Sequence, residues 1–218
     1  YETGLFTSPH LHRLTERIRI DGREVGKRQL VSAVQRVESV TRAPDAPKLT
    51  FFETLTVASA LVFAEAGVDL AVMEVGLGGR LDATRVFPSS VVTITSLGLD
   101  HQQFLGETVQ EIAREKFALA RVEAGFVVGE LQSEVEPVLA ERLSDLDGEV
   151  IPQRAGVDFH WSVNGDGAID YDGPFGAVKG LRLPLRGQHQ AHNLAVAITT
   201  LSEARDRLGL EIEEKNLR

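Results

Sequence analysis

The chain has 218 residues, a formal net charge of −9 and no cysteine. Its length is sufficient to bury a substantial core, so no disulfide bond is needed for folding. The acidic balance argues against nonspecific binding to nucleic acid, and no apolar run approaches the ~18 residues of a membrane-spanning helix. The opening "YETGLFTSPH" lacks the basic and apolar segments of a signal peptide. We therefore expect a cytoplasmic protein with no nucleic-acid partner and no membrane association.

The first part of the chain predicts a strand and two helices. The alternating segment 16–20 is closed by the turn pair Asp21-Gly22 and predicts a short strand. A first helix follows, with apolar residues three or four positions apart up to residue 40, and the prolines of 43–47 end it. A second helix begins near Thr50, which has capping-box spacing to Glu53.

Two later runs are apolar at successive positions, as in central parallel strands covered by helices on both faces. They are residues 68–75 and 90–97. The remaining predicted elements are a helix at 108–120, a strand at 125–130, a helix at 132–143, antiparallel strands within 157–185 and a long helix at 187–209. This alternation indicates an α/β fold with a doubly wound, mostly parallel sheet and a small antiparallel embellishment. Because both chain ends resemble interrupted elements, we expect residues 1–218 to be one domain of a longer protein.

The segment "EVGLGGRLDAT" at 74–84 resembles a phosphate-binding loop at first sight. It does not match the dinucleotide fingerprint, because Leu81 stands where the third glycine is required, and no lysine of the chain lies in a Gly-Lys-Ser/Thr context. Its position still matters, because open α/β sheets bind ligands at the carboxyl ends of their strands. Glu74 would project from such an end.

Other polar residues have an ordinary interpretation beside a functional one. His101 follows the strand at 90–97 and could share a cation with Glu74 if the two strands are neighbours, although most single histidines in loops are structural. Lys116 lies among glutamates, as on a solvated helix face. Ser8-Pro9 is typical of a turn, and "TFFE" at 50–53 of a helix cap with two core aromatics.

Five blocks in order favour the functional interpretation. They are "TSPHLHRLTERIRIDG", "TFFE", "VMEVGLGGRLDAT", "SLGLDHQQFLGETVQEIAREK" and "LRGQHQAHNLAVA". Together they resemble the folylpolyglutamate synthase/dihydrofolate synthase family of the Mur ligase superfamily, over about residues 1–205. The resemblance implies a monomeric, ATP-dependent ligase that uses Mg²⁺. ATP phosphorylates a carboxylate of folate or dihydropteroate, and the amino group of L-glutamate then attacks the acyl phosphate.

The resemblance also assigns roles to individual residues. It implies that Ser8, Glu74 and His101 hold magnesium. Lys116 matches a lysine that carries an N-carboxyl group, which converts an ammonium into an oxygen-bearing anion suited to Mg²⁺; with His101 it is the candidate catalytic residue. The positions that match the pterin pocket are Thr50, Phe52, Asp82 and Ala83, and those that face the nucleotide are His189 and Asn193.

Some features of the family pattern are missing from these 218 residues. The glycine-rich phosphate loop should precede "TSPH" by some 30 residues, and the C-terminal domain should follow, so we expect this piece alone to be inactive. Arg85 replaces the usual asparagine after "DAT", and "FALARVEAG" replaces small residues after Lys116. Two alternatives stay open: a Mur-type ligase for another amino acid, and a non-catalytic binding or scaffold domain.

Overall fold

The computed structural model of the protein describes residues 1–185 and 187–218, and it divides into two compact units. These are Tyr1–Phe87 and Pro88–Arg218. The expectation of one domain over residues 1–218 therefore stays a prediction. Within the described ranges, no helix is both long enough and apolar enough to cross a membrane.

The first unit is a four-stranded sheet with two helices. Its elements are β1 (Thr3–Phe6), β2 (Ile18–Ile20), β3 (Arg23–Glu24), α1 (Lys27–Thr41), α2 (Phe51–Ala66) and β4 (Leu70–Met73). The strand order is β3-β2-β1-β4, in which β1 runs antiparallel to β2 and parallel to β4. Asp21 and Gly22 have φ angles of 47° and 73°, the positive values required by a two-residue hairpin turn. The predicted strand is confirmed but begins at Ile18, because residues Leu14–Arg17 form a 3-10 turn.

The helices of this unit follow their sequence signals. Thr50 caps α2 by accepting the backbone N–H of Glu53, while the Glu53 carboxylate accepts the N–H of Thr50. These hydrogen bonds lower the pKa of Glu53, the backbone N–H of Thr50 having the largest effect. Gly67 ends the helix in the left-handed conformation, with a φ of 72°. The apolar stripes of α1 and α2 cover the fully buried Phe6 and Ile18.

The run at 68–75 differs from its prediction. β4 is the edge strand of its sheet, and Val72 in its middle is 54% exposed. An edge strand makes backbone hydrogen bonds on one side only, and here its side chains are not covered on both faces. The prediction of a central strand at this position is therefore wrong for the described residues, although the strand itself is confirmed.

The second unit contains two three-stranded sheets. Its elements are β5 (Val91–Ile94), α3 (Gln102–Leu105), α4 (Val109–Phe117), β6 (Gly125–Val128), α5 (Glu136–Asp145), β7 (Pro152–Arg154), β8 (His160–Val163), β9 (Ile169–Asp172), β10 (Val178–Leu181) and α6 (Gln188–Leu208). One sheet is parallel, with the order β5-β6-β7. The other is antiparallel, with the order β10-β9-β8, and confirms the predicted embellishment.

Helix α6 packs against both sheets of this unit. Its Thr200 hydroxyl lies 2.9 Å from the hydroxyl of Thr93 on β5, and its Thr199 hydroxyl lies 2.9 Å from that of Tyr171 on β9. Burial raises the pKa of Tyr171, which is 2% exposed. Every residue of β6 is buried, as is typical of a central parallel strand. β5 is the edge strand of this sheet, so the prediction of a central strand at 90–97 is also wrong for the described residues. The predicted α/β class, with parallel strands and a small antiparallel sheet, is confirmed.

Two helix boundaries differ from their predictions. The helix predicted at 132–143 begins at Glu136, one residue before Pro137, because proline fits the first turn of a helix, where a backbone N–H has no intrahelical partner. α4 begins as expected after Thr108, whose hydroxyl accepts the N–H of Glu111, but ends at Phe117 instead of Ala120.

Candidate functional site

Ser8 and Glu74 meet at the carboxyl ends of two paired strands. In the parallel register of β1 and β4, Phe6 lies opposite Met73, so the two strands end at the same level of the sheet. The Glu74 backbone N–H donates to the Phe6 carbonyl at 2.9 Å, and the Ser8 backbone N–H donates to Glu74 Oε2 at 2.8 Å. The two residues with a predicted metal role are therefore adjacent, although they are 66 positions apart in the sequence.

The chemistry of this pair suits a hard cation. Glu74 is exposed and offers carboxylate oxygens, and Ser8 offers a hydroxyl; oxygen donors of this kind are the ligands that Mg²⁺ prefers. Across residues 1–185 and 187–218, no three His, Cys, Asp or Glu side chains are grouped as a metal site would require. A magnesium site built on Ser8 and Glu74 would thus need other donors, such as phosphate and water oxygens.

The Asp82 carboxylate fixes the conformation of the glycine-rich segment 74–84, hereafter the glycine loop. Its Oδ2 accepts the backbone N–H groups of Gly76 and Leu77 at 2.9 and 3.0 Å. Its Oδ1 accepts the backbone N–H and the hydroxyl of Thr84 at 2.9 and 2.6 Å. Both carboxylate oxygens are thus engaged within the loop. The sequence interpretation of Asp82 as a ligand contact did not foresee this structural use.

The close approach of Phe52 to the loop explains the glycine at position 76. A Cβ atom on Gly76 would lie 2.5 Å from the Phe52 ring, closer than any side chain tolerates. The same ring lies 5.7 Å, centroid to centroid, from that of Phe6 in the core. Phe52 therefore connects the first turn of α2 with the loop, and the predicted pocket residues Thr50, Phe52, Asp82 and Ala83 belong to one unit.

Arg85 forms a hydrogen bond within the second half of the glycine loop. Its guanidinium donates to the backbone carbonyl of Arg80 at 2.9 Å. Ala83 lies in the 3-10 turn Ala83–Val86, which Asp82 caps. The residue that departs from the family pattern thus contributes to the loop conformation.

The second unit carries the other predicted catalytic residues. His101 is the residue before α3; its φ is 51°, and its Nε2 lies 3.7 Å from Oδ2 of the exposed Asp100. Lys116 lies in the last turn of α4 and is partly buried, and its side chain forms no hydrogen bond or ion pair within the part of the chain that the structure describes. β4 and β5, the strands that precede Glu74 and His101, belong to different units and to different sheets. The hypothesis that the two residues share a cation therefore stays a prediction.

His189 and Asn193 lie one turn apart on α6, and both are exposed. This spacing puts the two predicted nucleotide-facing side chains on one face of the helix. Their role stays a prediction.

His192 is a residue that the sequence interpretation missed. Its Nε2 accepts the backbone N–H of Glu130 at 3.3 Å, just beyond the end of β6, and its ring lies 5.0 Å from that of Trp161 on β8. Burial lowers the pKa of His192, and the Glu130 charge partly offsets this. The contact joins positions 62 apart, which local sequence patterns do not reveal.

The sequence was compared with known families and proteins. Residues 27–201 match the Mur ligase middle domain. The chain belongs to the Mur ligase family. Its likeness to the folylpolyglutamate synthase branch is confirmed by the dihydrofolate synthase/folylpolyglutamate synthase of Escherichia coli, which is 35% identical over 224 residues. That alignment covers 100% of this chain and 48% of the relative.

Solved structures give the same result. E. coli FolC in complex with DHPP and ADP has a TM-score of 0.87 at 35% identity, covering 100% of this chain and 49% of that one. An FPGS-AMPPCP-folate complex has a TM-score of 0.90 at 31% identity, covering 99% and 54%. This Mur ligase chain thus spans about half the length of these relatives.

Asp82→Ala should release the glycine loop of this Mur ligase. Removing a carboxylate that accepts four hydrogen bonds leaves three backbone N–H groups without their partner, and we expect the free energy of unfolding to fall by roughly 1.5–3 kcal/mol. Amide hydrogen exchange should accelerate at Gly76, Leu77 and Thr84 but not at Glu74, which donates to the Phe6 carbonyl. Asp45→Ala, at an exposed loop carboxylate, is the control. Unchanged exchange at the three amides would contradict the assigned role.

His192 should make stability depend on pH. The unfolded chain binds a proton near the ordinary histidine pKa of 6.5, whereas the folded chain binds it only at lower pH. The stability is thus complete above pH 6.5 and decreases as the pH falls below it. In His192→Phe, which keeps an aromatic contact with Trp161, the melting temperature should depend less on pH between 7.5 and 5.5. His160→Phe, at an exposed position on β8, is the control, and equal pH dependence in all three proteins would exclude this linkage.

Proposed function

We propose that the complete protein is an ATP-dependent ligase that joins L-glutamate to a carboxylate of folate or dihydropteroate. ATP transfers its terminal phosphoryl group to that carboxylate, and the glutamate amino group then displaces phosphate to form the amide. The observation that carries the proposal is the pairing of Ser8 with Glu74 at the adjacent carboxyl ends of β1 and β4. Such strand ends are where open α/β sheets bind ligands.

The comparisons support the same reaction class. The relatives that match over nearly the whole chain carry the names dihydrofolate synthase and folylpolyglutamate synthase, and the similar structures are complexes with ADP, AMPPCP or folate. We assign the small-molecule partners ATP, L-glutamate and the folate or dihydropteroate acceptor on this basis. A cytoplasmic, monomeric enzyme is part of the proposal, as the sequence suggested.

Mg²⁺ is the metal that we propose for this enzyme. When bound, it would neutralise the polyphosphate and orient it toward the acceptor carboxylate. Glu74 and Ser8 supply oxygen ligands, and Glu74 is held in place because one of its oxygens accepts the Ser8 backbone N–H. The family resemblance assigns His101 to the same proposed set. Lys116, as an N-carboxylated side chain, would add an oxygen anion at a helix end.

Acceptor and nucleotide are assigned to separate groups of residues. Phe52 offers an aromatic surface for a pterin, and Thr50, Asp82 and Ala83 complete the proposed pocket. Because the Asp82 carboxylate already accepts four hydrogen bonds, it would define the loop shape that meets the heterocycle. His189 and Asn193 form the proposed nucleotide contact on the exposed face of α6, where Asn193 can both donate and accept hydrogen bonds.

The complete protein should form ADP from ATP when Mg²⁺, L-glutamate and either dihydropteroate or tetrahydrofolate are present. Product analysis by mass spectrometry should show the added glutamyl residue, and the ratio of the two rates defines the acceptor preference. Glu74→Gln keeps the shape of the side chain but loses the charge, and should lower the rate about 100-fold or more. ADP release without glutamylation of either acceptor would favour a ligase for another substrate. No nucleotide or acceptor binding at all would favour the scaffold alternative.

Lys116→Ala should lower turnover about 100-fold or more in the complete protein while leaving the melting temperature nearly unchanged. The reason is that a partly exposed side chain without a partner contributes little stability, whereas loss of a proposed carbamate removes an anion from the site. Lys179→Ala, at an exposed lysine of β10, is the control. Depletion of CO₂ should slow the parent enzyme, since the carbamate forms from the neutral amine and CO₂. Equal turnover in the parent and Lys116→Ala would refute the carbamate role.

A further inference from the structure

Arg17 is a buried cation beside the loop that carries Ser8. The residue is 8% exposed and ends the 3-10 turn Leu14–Arg17. Its backbone carbonyl accepts the N–H of Thr7 at 2.9 Å, so the Arg17 side chain starts next to the residue that precedes Ser8. Arg17 belongs to none of the proposed metal, pterin or nucleotide positions.

The contacts of Arg17 leave its charge without an acidic partner. Its Nε donates to Nδ1 of His10 at 2.9 Å, and its guanidinium carbon lies 5.6 Å from the ring centroid of Phe51. Within residues 1–185 and 187–218, no carboxylate forms an ion pair with it. Its two terminal nitrogens have no hydrogen-bond partner there and are not sealed from solvent.

The nearest acidic residues in sequence are already engaged. Glu16 accepts the backbone N–H groups of three successive residues: Leu11, His12 and Arg13. Glu24 accepts hydrogen bonds from Arg13 and from the Thr15 hydroxyl, and these bonds lower the pKa of Glu24 to about 2, Arg13 having the largest effect. Both carboxylates are thus engaged in hydrogen bonds with other groups, and neither forms an ion pair with Arg17.

Two neighbours hold the Arg17 guanidinium in place. One is Phe51, the first residue of the 16-residue helix α2, whose amino end carries a partial positive charge that Glu53 in its first turn partly offsets. The other is His10, which accepts the Arg17 Nε–H at Nδ1 and leaves the N–H groups of the two terminal nitrogens for another acceptor. A buried charge is costly unless an opposite charge accompanies it. An anion that joins this cluster would supply that opposite charge.

We propose that Arg17, together with His10 and the first turn of α2, recognises a carboxylate of the folate or dihydropteroate acceptor. The guanidinium is suited to this task, because its planar N–H groups match the two oxygens of a carboxylate. The acceptor is favoured over the nucleotide because Phe51 adjoins Thr50 and Phe52, the residues proposed for the acceptor pocket. The inference rests on the proposed function and adds the group that selects acidic acceptors.

The test is equilibrium binding to the complete protein. Titration calorimetry compares dihydropteroate with the same molecule converted to its primary amide, each in the presence of ADP and Mg²⁺, and ADP is titrated separately. Arg17→Met should weaken binding of the carboxylate roughly 10- to 100-fold, because a charge-assisted hydrogen-bonding pair is lost. Binding of the amide and of ADP should change less than about twofold. Arg17→Lys should give an intermediate loss for the carboxylate only, because it keeps the charge but not the planar fork.

Arg19→Met is the matched control, since Arg19 lies two residues further along the chain, is partly buried, and donates from Nε to the Glu16 carbonyl at 3.4 Å. An equal loss for the amide and the carboxylate in Arg17→Met would overturn the proposal, as would weaker ADP binding with unchanged acceptor binding. If Arg17→Met does not fold, Arg17→Lys serves instead: weaker binding of the carboxylate but not of the amide supports the proposal, and an equal loss for both overturns it. If the parent binds neither acceptor, the proposed function itself fails, and this is seen before any variant is compared.

Discussion

Parallel pairing of β1 with β4 is the constraint on which the candidate site depends. The register that places Phe6 opposite Met73 also brings the Ser8 backbone N–H to Glu74 Oε2, at an N···O distance of 2.8 Å. A slip of one residue would turn the fully buried side chain of Phe6 away from the core. The burial of an aromatic side chain thus fixes the distance between two polar residues far apart in the sequence. The position of the polar groups at the strand ends is therefore determined by the packing of the apolar side chains within the strands.

Carboxylates in the first unit act mainly as organisers of backbone. Asp82 and Glu16 each accept three backbone N–H groups that would otherwise lack partners in turns. In contrast, Glu74 accepts a single N–H and remains exposed. Carboxylates saturated by hydrogen bonds define loop shape, whereas a carboxylate with unused oxygens can bind a cation. This difference separates the structural acids from the candidate ligand by geometry.

The local features of this fold were predictable, and the long-range ones were not. Thr50, Thr108 and the Asp21-Gly22 turn act over two to four residues, so their sequence signals sufficed. The edge position of β4 depends on which strands pair, and an apolar run does not specify this. The family resemblance located Ser8, Glu74 and Asp82, but not the four hydrogen bonds of Asp82. His192 and Arg17 escaped notice because each depends on contacts that only the folded chain forms.

An acidic protein can bind anionic substrates because local charge outweighs net charge. At physiological ionic strength, exposed charges more than about 8 Å apart are largely screened, so a net charge of −9 spread over the chain has little effect inside a pocket. A buried guanidinium is screened much less. Because Arg13 and three backbone N–H groups bind the nearest acids in sequence, neither acid forms an ion pair with Arg17 beside the amino end of α2. The same hydrogen bonds that shape the Ser8 loop therefore also keep this cation available for an anion.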